Sequence, residues 1–432
     1  MQHPSSRPRL GARRAVRVCW RPAAAAVLAW TLAGCGSGSH VLAATEGPQV
    51  SCQATVVEDL VRVMRRVYSE GVFSERTKVA KRFVARSQAL SRAVATNDGA
   101  AAQAAAQALV ATGKLTNLRV THHGTLIAEA GGPAITPLKG SIMPPGATAG
   151  TLPIGSYTTS VWSDEGFLAE SEGITGGRVA LRLGEKTVGG SFRVPRRSLP
   201  ATGSITIDHV PYAFASFRGT AFPSGALRIY LFRTVPSTAE VCARTREATT
   251  YKTISRLARL IYQAEGGRRT RPQIERVQTN APLLEAVSRN DPVATRKAVA
   301  ALLHHHIVRL RVFGAKGLLV DDGGPYVLAP VTAPLRLGGR TIGRFVLSIQ
   351  DDEGYLRLTK RLVGLSVLMY MGDGHPGKGT LVKNSLGPDP GDVPESGRYL
   401  YRGATFQVYT LHAQAFPSGP LTINVLIPVP YR

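Results

Sequence analysis

The chain reads AFPSGALRIYLFRTVP at 221–236 and AFPSGPLTINVLIPVP at 415–430, the same opening 194 residues apart. Working outward, three further pairs keep the order. RVTHHGTLIAEAGGP (119–133) matches RVFGAKGLLVDDGGP (311–325) at an offset of 192. IGSYTTSVWSDEGF (154–167) matches IGRFVLSIQDDEGY (342–355) at 188, without a gap as far as Gly184 and Gly372. RRVYSEG (65–71) meets LIYQAEG (260–266) near 194. Four ordered matches at nearly constant spacing are a tandem duplication. The period is far too long for a solenoid, whose repeats run about 20–50 residues, so each copy is expected to be a domain: 52–241 and 242–432.

The 432 residues suit two or three domains, and 44% hydrophobic content fits folded rather than disordered chain. Net charge is +25, of which six come from Arg7, Arg9, Arg13, Arg14, Arg17 and Arg21, leaving 25 − 6 = 19 after residue 34. Those arginines precede the apolar run Ala23–Leu32, too short to span a bilayer, and then Leu32-Ala33-Gly34-Cys35. The pattern predicts a secretory signal over 1–34. Small residues before one cysteine resemble the lipobox of bacterial lipoproteins. That resemblance implies a lipidated Cys35, a flexible tether over 35–51 and a cell-membrane location on the extracytoplasmic face. Plain cleavage after VLAA at 41–44 is the alternative.

Cys19 leaves with the signal and Cys35 would carry lipid, so in that compartment Cys52 and Cys242 are the remaining pair, 190 residues apart. A bridge would tie the two ends of copy one. The alternative is two free thiols, one at each repeat start.

Each copy opens with helix. Glu247–Glu265 carries Ile254, Leu257, Leu260 and Ile261 at helical spacing. Asp291-Pro292 begins a second helix, with Asn97-Asp98 its counterpart. Strands follow: a hairpin turning at Gly314–Gly317, a strand over Ile342–Asp351, a short helix from Glu353, a strand over Leu365–Met371 and two closing strands. Helices first and then a meandering antiparallel sheet define an α+β domain.

A long amino-terminal helix, a hairpin ending in GG, a covering loop, a strand such as GRFVLSIQDDEGY (343–355) leading into a helix, then more strands, resembles the extracytoplasmic Cache domains, also called PDC sensors, which are PAS-like. The resemblance covers both copies and is clearer in the second. It implies two tandem Cache-like domains, each a long helix packed on an antiparallel sheet, with a small ligand between the sheet and its covering segments. Family members signal through a membrane helix. Here the sequence stops at Arg432 just after the last strand, so the output is expected to pass through a partner, a membrane-bound sensor kinase or receptor.

Enzyme signatures are weak. GDGHPGKGT (372–380) imitates a phosphate loop, but Gly379 stands where a Ser or Thr is required. His304–His306 has no counterpart in copy one, and a helix end accounts for it. Asp351, Asp352 and Glu353 could hold a cation, although capping of the following helix explains acids there. No catalytic residue, metal or cofactor is assigned, and the protein is not expected to be an enzyme.

Strand alternation suggests a site. Phe345, Leu347 and Ile349 form the apolar face, expected to meet the long helix. Arg344, Val346, Ser348 and Gln350 face the other way, toward a covering loop with Tyr326, and Ser366, Leu368 and Tyr370 join them. In copy one the same positions are Ser156, Thr158, Ser160 and Trp162, with Arg178, Ala180 and Arg182. Such a mixed face suits a small molecule, or a solvated sheet face. The ligand-binding candidates are therefore Tyr326, Arg344, Ser348, Gln350, Tyr370, Ser160, Trp162, Arg178 and Arg182. The leading expectation is a lipid-anchored cell-surface protein with two Cache-like sensor domains that binds a small ligand. The alternative is an envelope-interaction protein drawn to anionic lipid or cell-wall polymer by its charge. Nucleic acid is not an expected partner.

Overall fold

Side-chain caps start the helices where the sequence supplies them. Asp98 accepts from Ala101 N at 3.0 Å and Asp291 from Val293 N and Ala294 N at 2.9 and 3.0 Å. The computed structural model describes residues 48–264, 270–303, 307–324, 327–372, 379–416 and 419–431. The signal, Cys35, His304–His306, Tyr326 and most of the 372–380 loop lie outside the described residues.

The first half begins with α1 (Pro48–Phe73), α2 (Glu75–Ala85), α3 (Gln88–Ala95) and α4 (Gly99–Ala111). Then come β1 (Asn117–His122), β2 (Thr125–Gly131), β3 (Ala134–Ile135), β4 (Leu138–Ile142), β5 (Gly155–Ser160) and β6 (Trp162–Ser163). Helix α5 (Asp164–Thr175) leads to β7 (Arg178–Leu183), β8 (Lys186–Gly190), β9 (Thr202–Ile207), β10 (Val210–Phe222), β11 (Gly225–Thr234) and α6 (Val235–Ala239). The second half runs α7 (Arg246–Ala264), α8 (Arg271–Gln278), α9 (Ala281–Ser288) and α10 (Pro292–Leu303). Its strands are β12 (Arg309–Gly314), β13 (Gly317–Gly323), β14 (Val327–Leu328), β15 (Val331–Leu337), β16 (Arg340–Ser348) and β17 (Gln350–Asp351). After α11 (Asp352–Leu358) and a π-helical turn (Thr359–Val363) come β18 (Ser366–Met371), β19 (Thr380–Asn384), β20 (Ser396–Tyr401), β21 (Ala404–Phe416) and β22 (Gly419–Pro428).

Every pairing is antiparallel, and each half builds two sheets where one was expected. The smaller orders its strands β2-β1-β5-β4 and then β13-β12-β16-β15. The larger orders them β6-β3-β10-β11-β7-β8, with β9 on β10, and then β17-β14-β21-β22-β18-β19, with β20 on β21. The second half repeats the first strand for strand. At AFPSG the long closing hairpin turns back, Ala221 pairing with Gly225 and Ala415 with Gly419, and the two glycines adopt φ of +76° and +95°, where glycine is favoured.

The run 342–351, expected as one strand, changes sheets at Ile349: β16 belongs to the smaller sheet and β17 to the larger. Phe345 and Leu347 accordingly bury against Val287, Val299 and Leu302 of the short helices, not against the long helix.

The long helices cover the larger sheets. Leu60, Val63 and Met64 of α1, Ile254, Leu257 and Ile261 of α7, Leu181, Ile229 and Leu231 of the first larger sheet, and Val367, Ile423 and Val425 of the second form one continuous core. Residues Glu46–Arg432 accordingly make one compact unit. Charged contacts reinforce it: Arg246 with Glu58 at 2.8 Å and Arg361 with Glu70 at 3.2 Å. The Tyr431 hydroxyl donates to Val363 O at 2.6 Å while Arg66 Nη1 donates to it at 3.4 Å.

One boundary differs from expectation. Helix α1 starts at Pro48, inside the predicted tether. Cys52 lies within that helix and is disulfide-bonded to Cys242, which follows α6, with Cα atoms 5.8 Å apart. The bridge therefore joins the start of α1 to the chain entering α7. No described helix is long and apolar enough to cross a membrane.

Candidate functional site

In each half the larger sheet has a gap along one strand. β9 pairs with β10 as far as Ala215, and β3 takes over only at Ala221. Tyr68 of α1 fills the gap, its hydroxyl 3.0 Å from Thr220 Oγ1 and accepting from Thr220 N at 2.9 Å. In the second half β20 reaches Tyr409 and β14 begins at Ala415. Tyr262 of α7 stands between them: its hydroxyl donates to Gln414 O at 2.8 Å and accepts from Ala329 N and Gln414 N, both at 3.3 Å. Burial raises the Tyr262 pKa, and the two backbone N–H donors oppose that.

Beside Tyr262 a cleft of about 770 Å³ opens, walled by Pro330, Val331, His412, Gln414 and Leu421. It offers an aliphatic wall with an imidazole and an amide at the mouth, since His412 and Gln414 are exposed. That mixture suits orientation of a small polar molecule. A second cleft of about 470 Å³ runs along α7, shares Gln263 with the first, and carries Lys252, Arg256 and Arg259. Arg256 is ion-paired with Glu240. A third, of about 710 Å³, lies over β8 in the first half.

The predicted site residues are not brought together. Arg344 and Ser348 are on β16 of a smaller sheet, whereas Tyr370 is on β18 of a larger one. Ser160 and Arg182 are divided in the same way. The expected single face fails because the chain changes sheets between these positions. Ser348 is buried and its hydroxyl donates to Leu328 O. Ser160 repeats this, donating to Ile135 O and accepting from Trp162 N at 3.1 Å. Both serines fasten the crossing from one sheet to the other. Trp162 packs at that crossing against both cores. Arg344 is exposed, its guanidinium 3.8 Å from the Phe313 ring centroid. Arg178 is exposed at the start of β7. Tyr370 closes a minor core with Val393, Val408 and Leu426. Tyr326 and the Gln350 side chain lie outside the described residues.

The acidic cluster divides its work. Asp351 caps α11, accepting from Gly354 N at 2.5 Å. Lys383 Nζ stands 3.3 Å from Asp352 and 2.7 Å from Glu353. In the first half Ser163 is the cap, accepting from Gly166 N at 3.0 Å. Asp164 matches Asp352, but the register that pairs Met369 with Lys383 pairs Leu181 with Gly189. With no lysine there, Asp164 Oδ1 is buried without a partner among the described residues, and burial pushes the carboxyl up to about 6.

Tyr262 and the cleft beside it were missed. Tyr68 and Tyr262 align in the sequence, but the strand residues they bond, Thr220 and Gln414, are each 152 residues away.

No protein-family model matches the chain, and no curated protein does. Solved structures give distant matches. An extracellular ligand binding receptor from Desulfohalobium retbaense DSM5692 aligns at 11% identity and TM-score 0.26, over 52% of this chain and 47% of its own. The chain thus spans about half of that receptor's length. The ligand-binding domain of Pseudomonas fluorescens chemoreceptor CtaA, in complex with L-isoleucine, aligns at 16% identity and TM-score 0.19, over 37% of this chain and 88% of its own. What the molecule defines by itself is an α+β protein of twice-repeated sheet pairs with polar clefts beside its long helices.

Proposed function

We propose that this is a lipid-anchored cell-surface protein whose two Cache-like domains, 52–241 and 242–432, bind a small ligand and present it to a membrane signalling partner. The observation that carries the reading is the cleft beside Tyr262, where a long helix, the β14–β15 connection and the closing hairpin converge on mixed polar and aliphatic groups. A site framed by the core helix can report occupancy along that helix into the other half, because α1 and α7 share one core. The anchor is the lipidated Cys35 of the lipobox-like LAGC, and Cys35→Ser is expected to release the protein from membranes.

A second reading has its own support. Lys252 and Arg259 beside the cleft, within a strongly basic chain, suit an anionic lipid or cell-wall polymer. A thermal-shift screen of the full chain against extracellular metabolites, repeated over a salt series, separates the two. A ligand bound only by the native state raises Tm by mass action, and the rise survives salt. Attraction of polymer to exposed cations fades as salt screens it. A screen with no salt-resistant shift contradicts the ligand reading.

A further inference from the structure

The bulkiest side chain buried among the described residues is a charged one. Arg182 on β7 is 1% exposed. Three carbonyls surround its Nη2: Glu185 O at 2.6 Å, Arg197 O at 2.9 Å and Pro195 O at 3.2 Å. Nε and Nη1 are buried and have no partner among the described residues. Tyr230 lies 5.9 Å from the guanidinium carbon, and among the described residues the carboxylate that acts on it is Glu185, on an exposed turn. Burying a guanidinium with two donors unmet is costly unless something completes it.

The neighbouring groups show what that would be. Thr187 faces Arg182 directly across the β7–β8 pair, and its Oγ1 is likewise buried without a partner among the described residues. Thr187 lines the cleft of about 710 Å³ over β8, together with Phe192, Lys186, Arg193 and Arg196. The chain that walls this cleft at Val194 and Arg196 is the one whose Pro195 and Arg197 carbonyls hold the guanidinium. No acidic residue lines the cleft.

The second half is an internal control. The same register places Tyr370 and Leu381 opposite each other where the first half has Arg182 and Thr187. At this pair of positions the second half carries no charged side chain, so Arg182 and Thr187 are specific to the first half.

We infer that the cleft over β8 is a site for a small oxyanion, a phosphate or carboxylate group, held by Thr187 of the lining and by Arg182, which stands behind that lining, beneath a rim of Arg193 and Arg196. Planar guanidinium donors suit such oxygens, and a positive rim draws them in. This site is separate from the cleft beside Tyr262.

The test is calorimetric titration of the full chain at fixed ionic strength, with inorganic phosphate in one arm and succinate in the other. Saturable binding is expected in at least one arm, and the arm that saturates names the oxyanion. Arg182→Tyr and Thr187→Leu install the second half's residues. The first should weaken binding about tenfold or more, since a charge-assisted hydrogen bond is lost. No saturable binding in either arm overturns the inference, as does a folded swap that binds as tightly as the native chain. Where Arg182→Tyr does not fold, Thr187→Val decides: unchanged affinity overturns the site and weakened affinity supports it.

Discussion

Tyr68 and Tyr262 do the same work 194 residues apart, each filling the gap in a large sheet where one edge strand stops before the next begins. Each ring also meets an aromatic edge-on, Phe167 at 6.2 Å for Tyr68 and Tyr355 at 6.3 Å for Tyr262. Tyr262→Phe keeps that ring contact and removes the hydroxyl that serves Ala329 N and the Gln414 backbone. A loss of about 1 kcal/mol in urea unfolding is expected, the usual net worth of such a bond. No measurable change would mean that the hydroxyl does not brace the sheet.

Asp164 sets a pH dependence whose sign follows from its environment. Its carboxyl is pushed up to about 6 by burial, from an ordinary value near 3.8. Between about pH 4 and 6 the folded chain therefore holds a proton that the unfolded chain releases. This contribution is intact below pH 4 and is lost as pH rises through 6. Asp164→Asn should flatten the slope of urea midpoint against pH. Gly189→Lys should flatten it too, by supplying the cation that Lys383 gives Asp352. An unchanged slope in both variants contradicts the assignment.

How much of this was legible in the sequence can be judged residue by residue. Caps at Asp98 and Asp291, the hairpin at Gly314–Gly317 and the helical stripe from Ile254 to Ile261 are local, so short-range chemistry shows them. The second sheet in each half was not legible. Alternation runs unbroken through Phe345, Leu347 and Ile349, and nothing in that pattern marks the passage from β16 to β17. Ser160 and Ser348 looked like ligand groups because their hydroxyls face away from the apolar side. Only the tertiary structure shows those hydroxyls already engaged by Ile135 O and Leu328 O. Arg182 was named from its strand position, and its burial and unmet donors required the covering chain at 195–197.

The bridge between Cys52 and Cys242 closes 190 residues. Loop entropy for that length gives about 4–5 kcal/mol. Since α1 packs into the core that α7 and both larger sheets share, reduction should destabilise the halves together. Calorimetry with and without reductant is expected to show one transition moving down. Two transitions, of which only one moves, would contradict a shared core.

The central claim is that a small molecule occupies the cleft beside Tyr262. Amide hydrogen exchange of the full chain, with and without a mixture of extracellular metabolites, tests it most directly. Added protection at Ala329–Val331 and His412–Gln414 is predicted, abolished by His412→Ala if the imidazole orients the ligand. Protection confined to other segments, or none at all, would contradict the account.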